Sequence, residues 1–230
     1  MLRKTAIVTG ANGNLGQAVV RKFIDKDYHV IGTVRQKQER GNQQEESFEE
    51  AVVDLLDQQA CQELVDQVIS ANKFIDVAVL TAGGFSMGDV AHTKSSDLSR
   101  QYQLNFETAY NIARPVFTQM IQQNSGRLFF IGSRAGLDTK KGKGVVAYSL
   151  TKSLLVRLAE LMNEEAKGKN VVVSVIVPSV IDTPQNRESM PESDFSTWVL
   201  PSQIAEVIYF YAGEEAAIIR EPVIKVYNRS

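Results

Sequence analysis

The chain has 230 residues, 43% hydrophobic and 23% charged, with 25 basic against 27 acidic side chains. That length suits one domain with a full α/β core, and the near-balanced charge argues against disorder and against nucleic acid as a partner, leaving a small molecule as the expected ligand. No apolar segment approaches the ~18 residues of a membrane span, Met1-Leu2-Arg3-Lys4 carries no signal-peptide core, and Cys61 is the single cysteine, so a cytoplasmic protein without metal or internal disulfide is expected.

Ala6-Ile7-Val8 reads as a buried first strand. Gly10, Gly13 and Gly16 follow at intervals of three, and Leu15, Val19 and Phe23 then share one helical face. A turn without side chains lets backbone N–H groups approach a pyrophosphate and aims the positive end of the helix at it. A tight βα turn without a ligand would carry the same glycines, but the strand before and the amphipathic helix after favour dinucleotide binding. Tyr28 to Val34 predicts the second strand, ending at Arg35. An acid at that place accepts hydrogen bonds from a ribose 2′-hydroxyl, whereas an arginine complements a 2′-phosphate, so Arg35 points to NADP(H) over NAD(H). Gln36 to Ser47 is almost wholly polar and reads as a loop.

Phe48 to Val53 is a third strand ending at Asp54, followed by Cys61, Leu64, Val65, Val68 and Ile69 at helical spacing, with Cys61 as a packed thiol. The fourth strand, Phe74 to Leu80, ends in Thr81-Ala82-Gly83-Gly84, small residues that leave room for a cofactor. Ser95 to Gln123 reads as helix with Phe106, Tyr110, Ala113, Phe117, Met120 and Ile121 in one stripe, and Pro115 is expected to kink or split it. Asn105, polar among these apolar neighbours, is either a local cap or a functional hydrogen-bonding group. The fifth strand, Leu128 to Ile131, places Ser133 at its C-terminal end, where open α/β sheets bind ligands.

Lys140 to Gly144 reads as a solvated basic turn. Tyr148 and Lys152 stand four apart and share a face at the start of a helix whose Leu154, Leu155, Leu158, Leu161 and Met162 are expected to pack inward. Val171 to Val177, broken only by Ser174, reads as a sixth strand central in a parallel sheet. Asp182 to Leu200 is polar and proline-bearing, with Met190, Phe195 and Trp198, and reads as a loop or short helical flap over the ligand edge. Ile204, Val207, Ile208 and Tyr211 make a last helix and Val223 to Tyr227 a last strand. The expected architecture is one doubly wound Rossmann domain over residues 1–230 with a seven-stranded parallel sheet.

With the glycine turn, Ser133, Tyr148 and Lys152 in this order and spacing, the chain resembles the short-chain dehydrogenase/reductase superfamily across Thr5 to Tyr227. The resemblance implies hydride transfer from NAD(P)H to a carbonyl or quinonoid substrate through a tetrad of Asn105, Ser133, Tyr148 and Lys152. Tyr148 would be the acid/base, its pKa brought down by the Lys152 ammonium and cofactor charge. Ser133 would hold the substrate oxygen and Asn105 a proton-relay water. Cofactor contacts are implied for Gly10, Asn12, Gly13, Asn14, Leu15 and Gly16, for Arg35 and Asp54, for Ala82 and Gly83, and for Tyr148, Lys152 and Thr183. Similar proteins pair as homodimers or homotetramers through the helices at Phe106 and Tyr148.

The chain departs from the commonest family pattern at Gly13-Asn14, where glycine usually holds the second place, at Pro178-Ser179 and at Thr81. Asp182 to Trp198 and Ala82-Gly83-Gly84 are also similar to the corresponding parts of quinonoid dihydropteridine reductases, which differ at Arg35 and Ser133. The substrate stays open between that heterocycle and a carbonyl. A regulator that senses NADP without turnover and a sugar-nucleotide epimerase are the rival readings; the intact tyrosine and lysine speak against the first, the short C-terminal region against the second.

Overall fold

Apolar strands without polar alternation, each followed by an amphipathic helix, are stable only in a sheet covered on both faces. The computed structural model, which describes residues 3–36 and 46–229, has that arrangement. The strands are β1 (Thr5–Thr9), β2 (His29–Val34), β3 (Phe48–Val52), β4 (Val77–Leu80), β5 (Ser125–Ile131), β6 (Asn170–Pro178) and β7 (Val223–Val226). They form one sheet in the order β3-β2-β1-β4-β5-β6-β7, with every neighbouring pair parallel. The predicted loop between β2 and β3 lies for the most part outside the described residues.

The helices are α1 (Asn14–Ile24), α2 (Gln58–Asn72), α3 (Ser95–Tyr102), α4 (Thr108–Gln123), α5 (Thr139–Gly142), α6 (Val146–Glu165), α7 (Pro184–Ser189) and α8 (Pro201–Ala212). Two cores result. On one face, Leu15, Val19 and Phe23 of α1 and Ile204 and Ile208 of α8 pack on Val8, Val30 and Phe129. On the other, α2, α4 and α6 bury Cys61, Val65, Ile112, Val116, Leu155 and Met162 against Ile7, Leu128 and Val173. Among the described residues no helix is long and apolar enough to cross a membrane.

Several elements depart from expectation. Strand β4 begins at Val77, and Phe74 is exposed. Strand β6 lies second from the edge; its apolar run, broken only by Ser174, reflects cover on both faces, not a middle position. Helix α4 continues through Pro115, because the burial of Ile112, Ala113, Val116 and Met120 around the ring offsets the one missing N–H bond. The interruption falls earlier, at a π-helical turn over Gln103–Glu107 in which the Thr108 N–H donates to the Gln103 carbonyl. The basic turn winds into α5, capped by the Asp138 carboxylate on the Lys140 N–H. On α6, Leu155 and Met162 face the core, whereas Leu154 and Leu161 are exposed, as is Leu150.

Candidate active site

The strand order reverses at β1, with β2 on one side and β4 on the other, so the chains leaving β1 and β4 diverge and open a crevice at their C-terminal ends. Gly10 takes up the first bend at φ +63°, a conformation costly for any residue with a Cβ. A Cβ on Gly16 would overlap the Gly10 carbonyl oxygen. Helix α1 starts from Gly13 with no side-chain cap and no acidic residue in its first turn, so its unpaired N–H groups and positive end face the crevice. Thr81 secures the opposite wall: its hydroxyl donates to the Thr9 carbonyl at 2.6 Å, while the Thr9 hydroxyl accepts from the Ala82 N–H at 3.2 Å.

Two adjoining clefts of about 510 and 590 Å3 share Gly10, Arg35, Ala82 and Gly83. Asp54 borders the first; Asn12, Gly13, Asn14, Leu15, Gly16 and Thr183 border the second. Thr33 Oγ1, buried beside both, has no hydrogen-bond partner among the described residues. Thr183 caps α7 through the Asn186 N–H, and Asn14 Nδ2 donates to Gln185 Oε1 of that helix at 2.9 Å, so the segment after β6 meets the glycine turn. Arg187 holds Asp182 by two hydrogen bonds, at 2.6 and 2.8 Å, which keeps that carboxyl below its usual range. Trp198 is buried, packs against Phe195 with ring centres 4.7 Å apart, and accepts a bond on its carbonyl from Asn228. It anchors the segment.

The predicted tetrad stands at the neighbouring strand ends. Asn105 is not a helix cap. Within the π turn, which widens the helix locally, its Oδ1 accepts from the Gly84 N–H and its Nδ2 donates to the Gly84 carbonyl, both at 3.0 Å. The same Nδ2 donates to Gln101 Oε1 at 2.9 Å. Gly83 leaves space for this clasp, since a Cβ there would lie 2.7 Å from Asn105 Oδ1. Lys152 is 6% exposed and donates to the Ile131 carbonyl at 2.8 Å; burial pushes its pKa down to about 8. Its Nζ lies 5.7 Å from the centre of the Tyr148 ring.

Half-buried Tyr148 is under the influence of the Ser133 hydroxyl, whose Oγ accepts from the Ala135 N–H at 3.2 Å. Burial lifts the Tyr148 pKa above that of an ordinary phenol, and the Ser133 hydroxyl only partly reverses this. The sequence reading has Lys152 holding Tyr148 low, whereas here desolvation is the larger influence. Gln101 and Phe85 are absent from that reading. The one signal for Phe85 is an aromatic residue directly after Ala82-Gly83-Gly84; its ring meets Tyr148 edge-on at 5.1 Å and 74°. Among the described residues no cluster of His, Cys, Asp or Glu could hold a metal ion.

Residues 4–194 match the family model described as short chain dehydrogenase. The chain is 27% identical to the acetoacetyl-CoA reductase of Acinetobacter sp. (strain RA3849), over 97% of this chain and 96% of that one. It is 25% identical to the 3-oxoacyl-[acyl-carrier-protein] reductase FabG of Buchnera aphidicola subsp. Acyrthosiphon pisum (strain APS), over 94% and 93%. Among solved structures, ElxO with NADP bound shares the fold with a TM-score of 0.88 at 22% identity, each chain covered to 97%.

Proposed function

Since the chain belongs to the short-chain dehydrogenase family, as an NAD(P)-dependent oxidoreductase of that type, we propose that it reduces a small-molecule carbonyl or quinonoid substrate, with NADPH preferred over NADH and Tyr148 giving the proton. The observation that carries this reading is the convergence, beside the glycine-lined cleft, of Tyr148 and the Ser133 hydroxyl with the buried cation of Lys152, whose Nζ lies 5.7 Å from the ring centre.

The cleft suits a dinucleotide. It has uncapped N–H groups at α1, glycines that a Cβ would obstruct, and an unpaired Thr33 hydroxyl beside Arg35. In this reading the glycine turn with Asn12, Asn14 and Leu15 holds the diphosphate, and Arg35 complements a 2′-phosphate. Asp54, Ala82, Gly83 and Thr183 border the rest of the cofactor, which supplies the hydride when bound. The chain's own residues do the remaining work. Ser133 orients the substrate oxygen and Tyr148 donates its proton to it. Lys152, with its pKa at about 8, remains largely protonated at neutral pH and stabilises the phenolate left behind. Asn105, fixed through Gly84 and Gln101, keeps the wall in register and orders a relay water.

Relatives named as acetoacetyl-CoA and 3-oxoacyl-[acyl-carrier-protein] reductases support a carbonyl substrate. The likeness of Asp182 to Trp198 to dihydropteridine reductases supports a quinonoid dihydropterin as the second candidate. The exposed Leu150, Leu154 and Leu161 of α6, with Tyr102 of α3 and Tyr110 of α4, support a homodimer or homotetramer. NADPH oxidation with acetoacetyl-CoA, a simple ketone and quinonoid dihydropterin tests the reading. Turnover with a carbonyl is expected. Tight NADP binding without oxidation by any of the three would favour the sensing regulator instead.

A further inference from the structure

Thr81 to Gly88 contains no ionisable side chain, yet it carries two of the most exposed apolar residues of the chain, Phe85 at 63% and Met87 at 81%. Single exposed apolar side chains are common, but several close together on one short stretch mark a contact surface. This stretch cannot relax inward, because it is pinned at both ends. Asn105 clasps the Gly84 peptide by two bonds. The Gly88 N–H donates to the Gly144 carbonyl at 2.8 Å and the Gly88 carbonyl accepts from the Val146 N–H at 2.9 Å. Between these anchors Phe85 is set edge-on against Tyr148.

We infer that Phe85 and Met87 form an apolar rim that determines specificity, selecting substrates with an uncharged alkyl or aryl group on the carbonyl carbon. The inference rests on the reading of Tyr148 as proton donor, which places the reacting carbon beside Phe85. The rim offers dispersion and ring contact and no ion pair; Asp89, the first ionisable residue beyond it, is already tied to His92. Each methylene fully buried is worth about fourfold in affinity, and a half-open rim captures part of that.

The test follows methyl ketones from butanone to octan-2-one, with acetophenone, in the unmodified protein and in Phe85→Ser/Met87→Ser. It reads kcat/KM with NADPH and, independently of turnover, the Kd of each ketone for the NADP+ complex by calorimetry, with melting curves as a check on folding. In the unmodified protein kcat/KM is expected to rise, and Kd to fall, about tenfold from butanone to octan-2-one; along the same series in the double variant both change by less than about twofold. A flat series in the unmodified protein, or a gradient that survives the double substitution, overturns the inference. Tyr148→Phe separates the two claims: it should lower turnover roughly 100-fold or more while the Kd gradient persists. A fully active Phe variant would overturn the reading of Tyr148 as proton donor, whereas a flat Kd series would overturn the rim itself.

Discussion

The two walls of the crevice are built by opposite means. Along Thr5 to Arg35 the ligand-facing surface is backbone, and no charged side chain is buried in the described residues 3–36. The wall made by β4, β5, α3 with its π turn, and α6 buries amide and cationic side chains instead: Asn105, Gln101 and Lys152 are all nearly inaccessible. The first wall functions by the atoms it lacks, so a local run of glycines spells it out. The second depends on pairings made at a distance, Asn105 with Gly84 and Lys152 with Ile131, each 21 residues apart. It carries the desolvation cost of a cation held without a carboxylate.

The largest expected effect breaks the second wall. Lys152→Met should lower turnover by roughly 100-fold or more, through loss of the charge behind Tyr148. Its stability should move the other way. With the folded pKa lowered from 10.5 to about 8, the folded chain releases this proton at a pH where the unfolded chain keeps it. The unmodified protein therefore gains stability, relative to the variant, as pH rises from about 8 to 10.5. Below that window the buried ammonium is a penalty on the order of 3 kcal/mol, partly offset by its bond to Ile131. Denaturant titrations at pH 7 and pH 10 should show the Met variant as stable as the unmodified protein or more so at pH 7, and the difference moving in favour of lysine by pH 10. A Met variant several kcal/mol weaker at pH 7 would show that the ammonium is well solvated.

Arg35 is the charged side chain that the first wall, among its described residues, brings to the cleft. Arg35→Asp should invert the nucleotide preference, with loss of about 1.5–3 kcal/mol of NADPH binding. Equal binding of NADPH and NADH by the unmodified protein would make Arg35 a plain surface charge. A smaller effect sharpens the claim that this wall works by missing atoms. Gly16→Ala should destabilise the fold by about 1–3 kcal/mol and weaken nucleotide binding, whereas Gly13→Ala, whose Cβ would sit 3.3 Å from the Gly10 oxygen, should cost less. If thermal melts rank the two in the reverse order, the packing of the turn is not what the glycines serve.

The same contrast explains what was legible in the sequence. The strands, the glycine turn and the faces of α1 and α2 follow from local periodicity, and the position of Arg35 follows from the end of β2. The π turn at Gln103–Glu107 has no local signature, because the grip of Asn105 on a glycine far away in sequence accompanies it. Pro115 misleads for a related reason: its helical cost is local, whereas the packing that overrides it is tertiary. Periodicity cannot separate Leu155, which faces the sheet, from Leu154, which does not. Phe85 and Gln101 escape a sequence reading because their meaning lies in what they touch.

In the proposed function one wall holds the cofactor and the other performs the proton transfer, so Tyr148→Phe should separate the two. Steady-state turnover on any accepted carbonyl, measured with NADPH affinity in the same preparation, should fall roughly 100-fold or more while the dissociation constant of NADPH changes by less than about threefold. A Phe variant with full turnover, or one that loses the nucleotide as well as the rate, would contradict that division of labour.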